Sequence, residues 1–98
     1  MFEKLKQFKD IRDKAKVIQA ALAEEIVEGS AAWGKVTVKM DCNMSVQTVS
    51  IDPTLLVASE KEKVEGAVKE AFADALKKAQ QKAMMKMQGM GGLEGLTG

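Results

Sequence analysis

Ninety-eight residues carrying a formal charge of +1 and a pI near 7.8 make one small domain whose global charge does not announce a nucleic-acid binder. The chain has no histidine and a single cysteine, which removes Ser-His and Cys-His nucleophile pairs, Cys/His zinc clusters and any internal disulfide. No apolar run approaches membrane-spanning length and the charged N-terminus has no apolar signal core, so a soluble, cytoplasmic, non-enzymatic chain without cofactor, metal or membrane partner is expected.

From residue 2 to about 25 the apolar residues Leu5, Phe8, Ile11, Ala15, Ile18 and Leu22 recur at steps of three and four, with no proline or glycine between them. This predicts an amphipathic helix whose stripe packs onto the rest of the fold. Lysines opposite the stripe leave room for a membrane-surface helix, a reading weakened by Glu3, Asp10 and Asp13 on the polar side. Ile26-Val27-Glu28 is too short to classify by itself, and Gly29-Ser30-Ala31-Ala32 reads as a small-residue connection. That connection is no phosphate loop, since it lacks a Gly-Lys-Ser/Thr ending and leads into a strand. Trp33 is expected to be a packing or dimer-contact residue, because one isolated aromatic makes a poor platform for stacking bases.

Val36, Val38 and Met40 alternate with Lys35, Thr37 and Lys39, the period of a strand with one buried face. Asp41-Cys42-Asn43-Met44 supplies a turn, and alternation resumes with Val49 and Ile51 against Thr48 and Ser50. A β-hairpin follows, with Cys42 an ordinary turn residue. Pro53 ends it, and Thr54-Leu55-Leu56 reads as a helical turn closing one end of the sheet. Ser59 and Glu62 have capping-box spacing. Beyond them Val64, Val68, Ala71, Phe72, Ala75, Leu76, Ala79 and Ala83 mark one face of a helix expected to reach about Met87. The domain is therefore assigned to residues 1–88, and residues 89–98, with five glycines in ten positions, to a flexible tail. Met84, Met85, Met87 and Met90 are read as fraying helix-end residues, with a sticky partner surface as the alternative.

Two pieces of this pattern are specific: Gly34-Lys35-Val36-Thr37-Val38 and Ile51-Asp52-Pro53-Thr54-Leu55-Leu56. With their flanking helices they resemble the YbaB/EbfC family of bacterial nucleoid-associated proteins over nearly the whole chain. Trp33 stands where that family generally has glycine or another small residue, and the hairpin lacks the usual Asn-Gly or Lys-Gly turn. The resemblance implies an α+β fold of order α-β-β-β-α, with Ile26 opening the first of three antiparallel strands. It also implies a tweezer-like homodimer and association with DNA in the nucleoid.

Charge is segregated along the chain. Residues 1–16 hold six basic against three acidic side chains, residues 24–70 five against nine, and residues 71–87 four against one. If the two helices pack antiparallel, their far ends are neighbours and form a basic tip, with the sheet end acidic. Lysines favour helix C-termini and charge runs often mark only a solvated face, and it is the family resemblance that makes Lys4, Lys6, Lys9, Arg12, Lys77, Lys78, Lys82 and Lys86 the candidate contacts to the phosphates of duplex DNA. No recognition-helix motif or minor-groove arm is visible, so weak sequence specificity is expected. A long second helix and an isolated three-stranded sheet with open edges also point to a symmetric dimer. The competing reading is a protein-interaction or chaperone-like adaptor that grips a protein partner with its projecting helices and Met-rich tail.

Overall fold

The computed structural model describes residues 2–89, with side chains from Lys6 onward. Helix α1 (Phe2–Ala23) leads into three strands, β1 (Ile26–Ala31), β2 (Val36–Asp41) and β3 (Val46–Ile51). Two short 3-10 turns (Pro53–Leu55 and Ala58–Glu60) then deliver the chain to α2 (Lys61–Gly89). The strands form one antiparallel sheet in the order β1-β2-β3, so the expected α-β-β-β-α arrangement is the observed one. Gly89, the first residue of the candidate tail 89–98, is the last of α2, and residues 90–98, Met90 included, lie outside the described residues.

Val36, Val38 and Met40 are fully buried on one face of β2, as their alternation requires. Their cross-strand partners place Ala31, Gly29 and Val27 of β1 on that same face, and Ile51, Val49 and Val46 of β3. A register shift at Lys39/Met40 brings Val46 onto it, because the extra residue of a bulge resets the alternation. The opposite face carries Glu28, Ser30, Thr37, Lys39, Thr48 and Ser50 and is polar, with Glu28 directly across from Lys39. The β2–β3 turn needs no Asn-Gly. Instead the buried carboxylate of Asp41 accepts from the amides of Asn43 (2.9 Å) and Ser45 (3.0 Å) and from Gln47 Nε2 (3.2 Å). Asp52 acts similarly after β3, accepting from the amide and hydroxyl of Thr54 to cap the first 3-10 turn, which buries Leu55.

Helix α2 lies across β1 and β2, and three expectations change where it does so. First, Gly29, Ser30 and Ala31 are strand residues, not a loop. A Cβ on Gly29 would overlap the backbone of Ala71 and Ala75, so β1 can approach the helix this closely only with glycine there. Second, the buried ridge of α2 is the i, i+4 ladder Ala67, Ala71, Ala75 and Ala79, while Phe72 stands on the flank and stays exposed. Backbone-to-backbone packing wants methyl groups, and a phenyl ring in the seam would hold the layers apart. Third, Ser59 sits inside the second 3-10 turn and makes no capping bond, so the predicted capping box does not form.

The stripe of α1 is also not buried as expected. Leu22 is covered and Ile18 and Ala21 half-covered, but every side chain from Lys6 to Val17 is exposed, Phe8 and Ile11 included. The helix projects as an arm fastened at its C-terminal end. Leu22 O and Glu25 O both accept from the amide of Cys42 (3.1 and 3.0 Å), and Gln19 O accepts from Asn43 Nδ2 (2.8 Å). The consequence is a long particle, 64 × 24 × 17 Å, with a radius of gyration of 18.5 Å. A compact domain of this length would have a radius near 13 Å.

The glycine that faces α2 and the glycine within it therefore respond in opposite directions. Gly29→Ala should lower unfolding free energy by about 3 kcal/mol through overpacking of the seam. Gly66→Ala, at an open position inside α2 with nothing near its Cβ, should raise it by about 0.5–1 kcal/mol. Urea titration of the two variants checks both signs.

Candidate nucleic-acid interface

The candidate cations fall into two groups that the fold does not bring together as expected. Lys6, Lys9 and Arg12 lie exposed along the projecting part of α1, and Lys4 belongs to the same helix by its backbone. The α2 group runs beside β1 instead of forming a tip with the N-terminus of α1. Lys78 Nζ donates to Glu28 O (3.0 Å) and pairs with Asp74 (3.1 Å). Lys82 and Lys86 each reach Glu25, just past the C-terminal end of α1, with one carboxylate oxygen apiece at 3.1 Å. Lys77 is exposed and makes no ion pair with another described residue. Since α2 runs antiparallel to β1, its basic stretch meets the acidic start of the sheet, and α1 extends away from that junction. At about 1.5 Å per residue, Lys9 lies roughly 20 Å further along the arm than Leu22.

These partners set the electrostatics. The Ser30 amide, then Lys78, holds the Asp74 carboxyl below the usual carboxylate range, and Lys86 with Lys82 does the same for Glu25. The Cys42 thiol is buried and pushed up by desolvation, the opposite of an activated nucleophile. Among the described residues no group of three acidic or cysteine side chains is placed to hold a metal ion, and no helix is long and apolar enough to cross a membrane.

Trp33 is fully exposed at the tip of the β1–β2 hairpin, where it, Ala32 and Gly34 have positive φ. It does not pack within the protomer, contrary to one of its two expected roles. A larger apolar surface lies beside α2. The helix leaves β3 uncovered, so Val46 and Val49 are exposed at 42% and 51% on the face that is core elsewhere, next to half-buried Ile51. Asp74 and Lys78 occupy the β1 flank of α2, so Phe72, 41% exposed, stands on the opposite flank, the side toward β3. Sequence periodicity marks Val49, Ile51 and Phe72 as apolar positions but gives no sign that they share an open face. Their bareness depends on where α2 lands.

The family model of the YbaB/EbfC DNA-binding family matches residues 1–94. The chain belongs to that family. A nucleoid-associated protein of Rhodopseudomonas palustris (strain HaA2) is 41% identical over 92 residues, spanning 94% of this chain and 87% of its own. A nucleoid-associated protein of Bordetella avium (strain 197N) is 40% identical over 86 residues, spanning 88% and 79%. The fold is shared with the crystal structure of an uncharacterized protein of Helicobacter pylori, at a TM-score of 0.72 and 19% identity over 94% of this chain and 98% of that one. The family membership is that of a DNA-binding, nucleoid-associated group.

The Asp74 bridge between α2 and β1 generates a pH dependence of fixed sign. Its native pKa is below the unfolded value, so its contribution is complete above the ordinary carboxylate range and is lost as pH falls through the depressed native value. Urea midpoints of the wild type should fall on acidification below about pH 5. Those of Asp74→Asn should start lower at neutral pH and fall less.

Proposed function

We propose that this member of the family is a cytoplasmic, nucleoid-associated homodimer that binds duplex DNA chiefly through lysine and arginine contacts to phosphate, with weak sequence specificity. The observation that carries the reading is the concentration of exposed cations, Lys6, Lys9 and Arg12, on a helix that projects free of the body in a DNA-binding family. Lys4 on the same helix and the separate α2 row of Lys77, Lys78, Lys82 and Lys86 are the further phosphate contacts of this reading. Contacts of this kind position a protein on the backbone and read no base edges. No catalytic step belongs to the proposal.

The dimer is supported by what the protomer leaves undone. Val46, Val49 and Phe72 offer an apolar trough along an edge strand, the surface that a second copy can cover by packing the same patch against it. The exposed Phe8 and Ile11 on α1 favour the alternative, a protein-gripping adaptor, because phosphate binding has no use for them.

Light scattering on a sizing column should give a mass near twice 10.6 kDa at micromolar concentration. Val49→Asp/Phe72→Asp should run as a folded monomer, since both positions face solvent in the protomer. A wild type that is already monomeric removes the pairing. For DNA, each phosphate neutralised contributes a slope of about −0.9 to log K against log salt. Lys9→Ala/Arg12→Ala should weaken binding to every duplex sequence alike and flatten that slope by about one unit per lost contact, with unchanged circular dichroism. Lys35→Ala in the β1–β2 turn and Lys39→Ala on β2 should change little. Absence of duplex binding by the wild type would give first place to the adaptor.

A further inference from the structure

Among the described residues Glu25 is the only acid paired with two lysines. Its two carboxylate oxygens are divided between Lys82 and Lys86, one turn apart on α2, each Nζ at 3.1 Å from its own oxygen. No backbone amide joins them, whereas Asp74 is pinned by the amide of Ser30 and Asp52 by that of Thr54. All three side chains keep access to solvent: 45% for Lys82, 36% for Lys86 and 27% for Glu25. Two ammonium groups converging on two oxygens of one anion form a clip, and an internal carboxylate occupies it.

We propose that Lys82 and Lys86 form a binding site for one phosphate group, and that Glu25 keeps this site closed until a polyanion displaces it. The physiological ligand rests on the DNA-binding reading above, but the site itself does not. A phosphodiester or polyphosphate presents two non-bridging oxygens to a pair of lysines much as a carboxylate does, and carries the charge that such a pair recognises. Exposed ion pairs are weak, so a ligand of higher charge density can take the lysines without unfolding anything. The hydrogen bonds from Cys42 and Asn43 keep α1 attached when Glu25 lets go. Glu25 thus sets the affinity of the α2 cations. With Glu25 in place the cluster of three carries a net charge of +1, and without it +2.

Four proteins decide the matter: wild type, Glu25→Gln, Glu24→Gln and Glu25→Gln/Lys82→Ala/Lys86→Ala. Glu24→Gln removes the same charge one residue away without touching the clip. Two ligands are used, a duplex DNA across a salt series and inorganic tripolyphosphate read by its shift of the melting temperature. Glu25→Gln should bind duplex about threefold to tenfold more tightly at low salt, the range set by two exposed ion pairs. Its salt slope should steepen by about one unit for each clip that touches DNA. Tripolyphosphate should raise its melting temperature more than that of the wild type, and the triple variant should lose both gains. The proposal is overturned if Glu25→Gln gains nothing with either ligand, if Glu24→Gln gains as much, or if the gain survives removal of Lys82 and Lys86. If neither wild type nor Glu25→Gln binds duplex while tripolyphosphate still separates them, the clip stands and the DNA-binding function falls.

Discussion

The rest of the structure depends on the contact between the backbone of Gly29 in β1 and the Ala71–Ala75 turn of α2. A helix normally meets a sheet through interleaved side chains. Here glycine on one side and the alanine ladder on the other bring main chain against main chain, with Asp74 and Lys78 tying the flank to the amide of Ser30 and the carbonyl of Glu28. The seam positions α2 over β1 and β2 and no further. What the helix covers becomes the core, Val36, Val38 and Met40 beneath Ala67 to Ala79.

What it does not cover is as consequential. Placing α2 at one side of a three-stranded sheet leaves Val46 and Val49 of β3 exposed on the core face, with Phe72 on the neighbouring flank of the helix. Carrying the end of α2 past the start of β1 sets Lys82 and Lys86 against Glu25. It also leaves α1 fastened at its C-terminal end, so Lys6, Lys9 and Arg12 lie exposed along the arm. An open apolar edge and a free basic arm are thus two outcomes of a single packing choice.

Much of this was legible in the sequence and some of it was not. The β2 alternation, the Asp52-Pro53 stop and the long α2 are local signals, and they appear where local signals place them. Gly29-Ser30-Ala31 misleads because small residues signal a loop unless a helix is pressed against them, and that helix comes about 40 residues later in the chain. The alanine ladder misleads in a similar way, since periodicity ranks Phe72 above Ala67 while the seam selects by size. The α1 stripe reads as a buried face although the protomer covers it only at its C-terminal end, around Ile18 and Leu22. For the candidate site, composition exposed both basic clusters but not their separation. The pairing of Lys82 and Lys86 with Glu25 spans 57 and 61 positions, and no spacing rule links a lysine to an acid so far away.

The claim that binds these observations together is that the arm and the α2 row, and not the sheet, meet DNA. Hydrogen–deuterium exchange of the full chain, with and without saturating duplex DNA at low salt, tests it at the level of segments. Slowed exchange in residues 6–16 and 77–86, with the β1–β2 hairpin around Lys35 and Lys39 unchanged, is the result this account predicts. Protection confined to the polar face of the sheet, with α1 exchanging as fast as in the free protein, would contradict it.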